Sequence, residues 1–264
     1  MTQNQSIKTA LESKSIYLLD MDGTLYHSNT VIDGAREFVK TISKSGKDFV
    51  YMTNNSSKNA NEYLAKLRRL GFEAHKKNIF TSGNAAAIYI KQNMPAAKIY
   101  VLGTNALRNE LDASGINTSD TEADCVLCGY DTELTYEKIT KACGFIADGA
   151  AFLATNPDIV CPAENGRYLP DCATICNMII QATKKEPFYI GKPRPEMPLS
   201  VLSLFKKTTD DAVIIGDRLY TDIKCGENAE ITTVLVLSGE STVSDIEKYG
   251  IYPDFITKSV KDLI

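Results

Sequence analysis

The sequence is poor in the residues that several common enzyme classes need. It contains only two histidines, His27 and His75, and they lack the spacing of a metal-binding pair. The sequence therefore offers too few histidines to favour a Ser-His-Asp triad or a histidine-rich zinc site. We expect His75, in the polar stretch EAHKKN, to lie in a surface loop. His27 lies close to an acidic motif. We expect it to lie in a loop, and a contact with substrate is the weaker alternative.

A membrane segment, a basic surface and a disulfide framework are also missing. No apolar run is long enough to span a bilayer, and the first fifteen residues, MTQNQSIKTALESKS, have no apolar signal core. The net charge of -4 gives no basic field for nucleic acid or an acidic membrane. Seven scattered cysteines fit a reducing cytoplasm better than paired disulfides. We therefore expect a cytoplasmic protein that binds neither nucleic acid nor membrane.

Short β-rich runs alternate with helical stretches along the chain, which predicts a parallel sheet with right-handed crossovers. The runs FVYM and AVII are apolar throughout, as expected for strands covered on both faces. The predicted strands are Ile16–Leu19, Phe49–Met52, Asn78–Phe80, Ile99–Leu102, Cys125–Leu127, Ala151–Ala154, Phe188–Ile190, Ala212–Ile215, Thr232–Leu237 and Asp254–Ile256. Two helices are predicted from cap, periodic apolar face and terminal glycine, one from Asp33 to Gly46 and one from Ser57 to Gly71.

Polar residues follow four of the predicted strands directly. In parallel sheets ligands bind beyond the carboxyl ends of the strands, so these residues are expected to meet in one crevice. They supply carboxylates, a hydroxyl, amides and an ammonium, which together suit a phosphate and a metal ion. The set consists of Asp20, Asp22, Thr53, Asn54, Asn55, Lys192, Asp217 and Asp222.

The motif DMDGT at residues 20 to 24 carries the central chemistry. Residues i and i+2 of a strand point the same way, so Asp20 and Asp22 can face one crevice. An Asp20 carboxylate that attacks phosphorus approaches an anion, and a divalent cation would remove that repulsion. Mg²⁺ needs only one or two protein carboxylates, and Asp20 and Asp217 are the natural pair, helped by a backbone carbonyl near Asp22. Asp22 would protonate the leaving group and later deprotonate water. The plain alternative is a solvated Asp-Gly turn.

Three further residues have predicted roles around the phosphoryl group. Lys192 and Thr53 would bind its remaining oxygens. Asp222 would orient the metal or Lys192, or alternatively supply an N-terminal helix charge, and direct metal binding is also open. Asn54 and Asn55 are further candidates for substrate binding.

The middle of the chain has its own strand-helix alternation and contributes no member of the strand-end set. We predict a Rossmann-like core domain in two parts, residues 1–85 and 185–264, with a smaller α/β cap domain inserted at 86–184. An insertion at this position suits a lid.

The motifs DMDGT, TNN, GKP and GDRLYTDI occur in the order typical of the haloacid dehalogenase (HAD) superfamily, which the chain resembles. The segments YVLG, ATNPD and IGKPRPEM resemble its NagD or p-nitrophenylphosphatase-like branch, which has an α/β cap between the second and third motifs. The resemblance implies a Mg²⁺-dependent phosphatase with Asp20 as nucleophile, Asp22 as acid/base and Asp217 as metal ligand. It also implies phosphate contacts through Thr53, Asn54 and Lys192, and a homodimer through the cap.

A second aspartate at position 22 is the pattern of superfamily phosphatases and phosphomutases, so it indicates hydrolysis and says little about the leaving group. We expect a small phosphate monoester as substrate, of the sugar phosphate, pyridoxal phosphate, nucleoside monophosphate or p-nitrophenyl phosphate type. A phosphomutase is the first alternative. A phospho-accepting, non-catalytic protein like a response-regulator receiver is the second, although Asp22 and the inserted domain argue against it.

The stretch GRYLPDCATIC departs from the family, which usually has a glycine-rich turn after the proline. One hypothesis is that Asp171 places a carboxylate near the leaving group and disfavours strongly anionic substrates. The alternative is a helix N-cap at Asp171.

The cysteine spacings are interpreted as packing. Cys125 and Cys128 form a single C-x-x-C within an apolar strand, with no second pair and no nearby histidine. Cys172 and Cys176 can share one helical face, and we expect them to pack in a core as well.

Overall fold

The computed structural model describes residues 3–163 and 167–264, and these form two compact units. The first unit contains the residues up to Thr53, Tyr63–Phe80 and Lys192–Ile264. The second contains Asn54–Glu62 and Thr81–Gly191, so it is inserted into the sequence of the first. Residues 54–62, 81–85 and 185–191 thus belong to the second unit, whereas the strand pattern had placed them in the predicted core.

The first unit is built on a six-stranded sheet in the order β14-β13-β12-β1-β4-β5. Strand β1 pairs in parallel with β12 on one side and β4 on the other, and β13 continues the parallel pairing to β14. All four residues of β1 are buried, as expected for a strand covered on both faces. The strands are β1 (Ile16–Leu19), β4 (Asp48–Thr53), β5 (Ile79–Thr81), β12 (Ala212–Gly216), β13 (Thr232–Val236) and β14 (Phe255–Thr257).

A small antiparallel hairpin of β2 (Tyr26–His27) and β3 (Thr30–Val31) follows β1. The helices that begin in or belong to the first unit are α1 (Gln3–Glu12), α2 (Ala35–Lys44), α8 (Glu196–Phe205), α9 (Lys224–Asn228) and α10 (Val243–Tyr249), and α3 (Ala60–Arg69) crosses the unit boundary. A π-helical turn, Leu219–Ile223, precedes α9, and short 3₁₀ turns occupy Lys76–Asn78 and Val260–Leu263.

Helix α2 shows how the sequence determines these elements. Its buried residues are Ala35, Phe38, Val39 and Ile42, a spacing that forms one apolar stripe on an α-helix. The prediction that Asp33 caps this helix is wrong. Gly34 occupies the N-cap with φ 77°, and Asp33 instead pairs with Lys261 at 2.6 Å.

Helix α3 begins at Ala60, three residues after the predicted start at Ser57. The backbone amide of Glu62 donates to Asn59 Oδ1, and the amide of Asn59 donates back to Glu62 Oε2, both at 3.0 Å. This reciprocal pair satisfies amides that the first turn of a helix leaves without partners. Asn59, two residues after Ser57, therefore caps the helix and fixes its start.

The second unit contains a four-stranded parallel sheet in the order β11-β8-β7-β6. Its strands are β6 (Ile99–Leu102), β7 (Cys125–Cys128), β8 (Ala151–Ala154) and β11 (Phe188–Tyr189), and its helices are α4 (Ser82–Asn93), α5 (Asn105–Ala113), α6 (Tyr136–Ala147) and α7 (Cys172–Thr183). A second antiparallel pair, β9 (Val160–Pro162) and β10 (Tyr168–Pro170), lies between β8 and α7 in the chain. The predicted fold class, a Rossmann-like parallel core with an inserted α/β unit, is confirmed. In the described parts of the chain, every helix is too short or too polar to cross a bilayer.

Candidate active site

Asp20 lies directly after β1, at the carboxyl end of the central strand. Its backbone amide donates to the carbonyl of Ile215 at 2.9 Å, which extends the pairing with β12 and fixes the residue. The Asp20 side chain is 14% exposed, so it is accessible but mostly enclosed. Asp22 is exposed. A mostly enclosed carboxylate is thus followed by an exposed one two residues later.

Lys192 brings positive charge to Asp20. Its ammonium donates to Asp20 Oδ1 at 2.6 Å, to Asp222 Oδ1 at 2.5 Å and to the carbonyl of Met52 at 3.3 Å. The side chain is only 2% exposed. Burial alone would lower the pKa of Lys192, but Asp20 and Asp222 raise it above its usual value, so the group stays charged.

Asp217 follows β12 and is 2% exposed. Its Oδ2 accepts the backbone amide of Glu240 at 2.8 Å, and its Oδ1 accepts the hydroxyl of Thr24 at 3.2 Å. A Cβ added to Gly23 or Gly239 would lie under 3.0 Å from the Asp217 carboxylate. A larger residue at either position would therefore displace this carboxylate, and at Gly23 the φ of +93° also favours glycine.

One oxygen from each of Asp20, Asp217 and Asp222 lies within 4.8 Å of the others. Burial, and then the charge of Asp222, raise the pKa of Asp20 well above its usual value and that of Asp217 to about 6. The three carboxylates outnumber the Lys192 ammonium by two when ionised. A cation would offset this excess of negative charge. Carboxylate oxygens are also the ligands that Mg²⁺ prefers, so these residues fit that ion.

The contacts of Asp222 bear on the alternatives that the sequence left open. Its Oδ1 accepts a hydrogen bond from Lys192, and its Oδ2 accepts one from the backbone amide of Arg218 at 3.2 Å, at the start of the π-helical turn. Asp222 thus contacts both Lys192 and an N-terminal amide of the turn, the partners that two of the alternatives name. A Cβ on Gly216 would lie under 3.0 Å from this carboxylate, so glycine leaves the space that Asp222 occupies. Direct binding of a metal by Asp222 stays a prediction.

The remaining predicted residues of the second motif lie at the end of β4 and beyond it. Thr53 is the last residue of β4 and is buried. Asn54 belongs to the second unit, where its Nδ2 donates to Asp158 Oδ2 at 2.8 Å. Asn55 Oδ1 accepts the amide of Ser57 at 3.0 Å, the geometry of an Asx turn. Substrate contacts of these three residues stay predictions.

Asp171 caps helix α7. Its Oδ1 accepts the amide of Cys172 at 2.6 Å and the side-chain amide of Asn156 at 3.1 Å. Burial, and then the charge of Asp158, raise the pKa of Asp171 to about 7. Asp171 is therefore the N-cap of α7, as one of the two alternatives predicted, and its contact with substrate stays a prediction. Gly166, the first residue of GRYLPDCATIC, lies outside the described residues.

Two supports of Asp217 were not predicted from the sequence: the hydroxyl of Thr24, which lies within DMDGT, and the backbone amide of Glu240, which gives no sequence signal. The hydrogen bonds that Asn156 donates to both Asp158 and Asp171 were not predicted either. Of the two histidines, His27 is exposed on β2, and His75 precedes a 3₁₀ turn.

Comparisons with known proteins agree with this geometry. Residues 17–117 match the family of haloacid dehalogenase-like hydrolases, and residues 189–263 match a second HAD-hydrolase-like family. An acid sugar phosphatase of Staphylococcus saprophyticus is 35% identical over 255 residues, which cover 96% of this chain and 98% of that protein.

Two solved structures are similar over nearly the whole chain. The 4-nitrophenylphosphatase of Thermotoga maritima superposes with a TM-score of 0.92 at 36% identity and covers 96% of this chain and 97% of its own. NagD of Escherichia coli K-12 gives a TM-score of 0.86 at 33% identity, with 94% and 97% covered. The chain therefore belongs to the haloacid dehalogenase-like hydrolases, in the branch of NagD and the p-nitrophenyl phosphatases, and is a phosphatase of that family.

Proposed function

We propose that the enzyme hydrolyses a small phosphate monoester through a phosphoryl group carried transiently on Asp20. The observation that carries the proposal is the position of the Asp20 carboxylate, 2.6 Å from the buried ammonium of Lys192 and beside Asp217. A carboxylate held in this way is oriented as a nucleophile while its repulsion toward an anionic substrate is partly offset.

The first half of the reaction transfers the phosphoryl group to the enzyme. An Asp20 oxygen attacks phosphorus, the bond from phosphorus to the ester oxygen breaks, and that oxygen leaves with the electron pair. Protonated Asp22 gives its proton to the departing oxygen. The exposed position of Asp22 supports this role, because the group must reach a substrate atom.

The second half returns the enzyme to its starting state. Asp22, now a carboxylate, takes a proton from water while the water oxygen attacks phosphorus. The bond between phosphorus and Asp20 breaks, and inorganic phosphate leaves. Lys192 remains beside the reacting oxygens in both halves, and its charge is maintained by Asp20 and Asp222.

We propose Mg²⁺ as the cofactor, held by Asp20, Asp217 and a backbone carbonyl near Asp22. When bound, it supplies Lewis-acid polarisation of the phosphoryl oxygens and offsets their charge. The hydrogen bonds from Thr24 and Glu240 fix the Asp217 carboxylate in advance for this purpose.

Sugar phosphates are the substrate class that we place first. The support is that the similar curated protein is named an acid sugar phosphatase, and p-nitrophenyl phosphate is the natural chromogenic probe because two similar structures are named for it. The cytoplasmic location and a homodimer formed by the second unit stay predictions.

Two matched substitutions test the mechanism with p-nitrophenyl phosphate. We expect Asp20→Asn to lose roughly 10⁴-fold or more of kcat/KM. We expect Asp22→Asn to release p-nitrophenolate in one stoichiometric burst, because this leaving group needs little protonation, and then to stop with the phosphoryl group on the protein. Asp33→Asn, an exposed aspartate paired with Lys261, is the control. Turnover at the parental rate by folded Asp20→Asn would refute the proposal. Product analysis with a bisphosphate would identify a phosphomutase if the phosphoryl group were transferred to another position of the substrate and not released as inorganic phosphate.

A further inference from the structure

Three cysteines converge inside the second unit, away from any role in the phosphatase mechanism. Cys128 is the last residue of β7, Cys172 is the first residue of α7, and Cys176 lies one turn further on the same helix. Their three sulfur atoms all lie within 4.8 Å of one another, and each residue is 0% exposed. Strand and helix thus present three sulfurs to one point.

The C-x-x-C spacing is not the origin of this cluster. Residues i and i+3 of a strand point to opposite faces, so Cys125 and Cys128 diverge. Cys172 and Cys176, at i and i+4 of α7, lie on one face of the helix and meet Cys128 there. The grouping therefore arises from the packing of α7 against β7, across 44 residues of sequence.

Polar groups surround the sulfur of Cys172. The hydroxyl of Thr155 donates to it at 3.8 Å, and the backbone amide of Asn156 donates as well. As a thiol it donates to the carbonyl of Cys128 at 3.4 Å. Donors of this kind, together with the amino end of α7, stabilise negative charge on sulfur, which is the form of cysteine that binds metals.

We propose that Cys128, Cys172 and Cys176 form a binding site for one thiophilic metal ion, of the Zn²⁺ or Cu⁺ class. Zinc-sulfur bonds of about 2.3 Å at tetrahedral angles place two ligand sulfurs about 3.8 Å apart, so sulfurs already within 4.8 Å need only small movements. Sulfur ligands select soft ions over Mg²⁺, which separates this site chemically from the carboxylate set. Each thiol that becomes a ligand releases its proton to solvent.

Complete burial gives the site two expected properties. The ion enters only when the second unit opens locally, so uptake and removal are slow. A retained ion also cross-links α7 to β7 and so stabilises the folded protein. The proposal is independent of the phosphatase mechanism, because none of the three cysteines belongs to it.

The test measures metal content on the intact, phosphine-reduced enzyme with Mg²⁺ in excess. Separate anaerobic arms supply Zn²⁺ and Cu⁺, and Cd²⁺ reports sulfur ligation by its ultraviolet charge-transfer band. We expect close to one ion per chain in at least one arm, and roughly tenfold weaker binding or more in Cys172→Ala and Cys176→Ala. Cys143→Ala, a partly buried cysteine of α6 outside the cluster, is the matched control and should bind like the parent.

Activity with p-nitrophenyl phosphate shows that each variant is folded. Stoichiometric binding that the Cys172 and Cys176 variants lose and the Cys143 variant keeps supports the proposal. Equal binding by cluster and control variants overturns it, and so does the absence of bound metal from the parent in both arms. Formation of a disulfide between Cys128 and Cys172 on removal of the reductant, with no metal in either arm, would overturn it in favour of a redox role.

Discussion

Lys192 donates a hydrogen bond of 2.5 Å to Asp222 Oδ1, and both side chains are almost completely buried. The other oxygen of Asp222 accepts the amide of Arg218, so the carboxylate is fixed at both atoms. If the ammonium moved away from Asp222, it would leave a buried carboxylate without its counter-charge, which is costly. Asp222 and Asp20 therefore bind the same ammonium, Asp222 at 2.5 Å and Asp20 at 2.6 Å.

Replacing Lys192 by methionine should reduce kcat/KM for p-nitrophenyl phosphate by roughly 10²- to 10³-fold. The reason is the loss of a buried positive charge that offsets charge at the reacting oxygens. Steady-state kinetics with circular dichroism as a folding check measures this. Lys261→Met removes an exposed lysine paired with Asp33 in the same unit and should change little. Equal activity of the two variants would contradict the assigned role.

Asp222→Asn should act through Lys192 and should cost less, roughly 10- to 100-fold in kcat. The amide keeps a hydrogen-bonding oxygen but no charge, so the ammonium is held less firmly beside Asp20. A titration with Mg²⁺ separates the two roles open for Asp222. A Mg²⁺ requirement unchanged from the parent fits a residue that positions Lys192. A much higher Mg²⁺ concentration for half-maximal activity would instead indicate a direct metal ligand.

Gly239→Ala should disturb the proposed metal site at Asp217 without straining its own backbone. Its added Cβ would lie under 3.0 Å from the Asp217 carboxylate, and no positive φ accompanies it. We expect the Mg²⁺ concentration needed for half-maximal activity to rise by about tenfold. Gly144→Ala, where an added Cβ meets nothing within 4 Å, is the control and should slightly stabilise helix α6. Normal Mg²⁺ dependence in Gly239→Ala would show that Asp217 can move freely.

Removal of divalent cations by a chelator should abolish turnover, and Mg²⁺ should restore it. Ca²⁺ should restore far less, because it prefers more ligands at longer distances. Activity and far-ultraviolet circular dichroism, measured on one sample, separate loss of the cofactor from loss of the fold. Full activity in the chelator would rule out Mg²⁺ as the cofactor.

Substitutions of Asp171 separate its two roles. Asp171→Asn keeps an oxygen that can cap α7, so we expect stability within a few tenths of a kcal/mol of the parent, whereas Asp171→Ala should lose about 1 kcal/mol. Because the carboxylate already accepts two hydrogen bonds, the order of preference in a phosphate-ester panel should be the same in Asp171→Asn. A shift toward strongly anionic esters would revive the substrate-contact hypothesis.

Regular elements were predictable because their signals are local. Each of the ten predicted strands overlaps an observed one, since apolar runs bounded by turn residues identify buried strands well. The hairpin β2–β3 and the pair β9–β10 were missed, because most of their residues are exposed or partly exposed, so no buried apolar run marks them. The predicted cap at Asp33 was wrong, since Gly34 occupies the N-cap in a left-handed conformation and the Asp33 carboxylate pairs with a distant residue, Lys261.

The candidate site was predictable where it follows strand ends and not where it depends on tertiary contacts. Asp20 and Asp217 lie close together because the adjacent parallel strands β1 and β12 bring their carboxyl ends to one edge. Lys192 follows β11, a strand of the other sheet, so its hydrogen bonds to Asp20 and Asp222 do not follow from this rule. The partners of Asp217 lie on loops whose positions no local pattern encodes. The convergence of Cys128 with Cys172 likewise depends on how one helix packs on one strand.

Strand β1 is hydrogen-bonded along its whole length on both edges, to β12 and to β4. Amide protons there should be among the slowest of the first unit to exchange with deuterated water. Asp20, the proposed nucleophile, thus directly follows a strand that is hydrogen-bonded on both edges. On heating, inactivation should therefore coincide with cooperative melting of the sheet and not with earlier fraying.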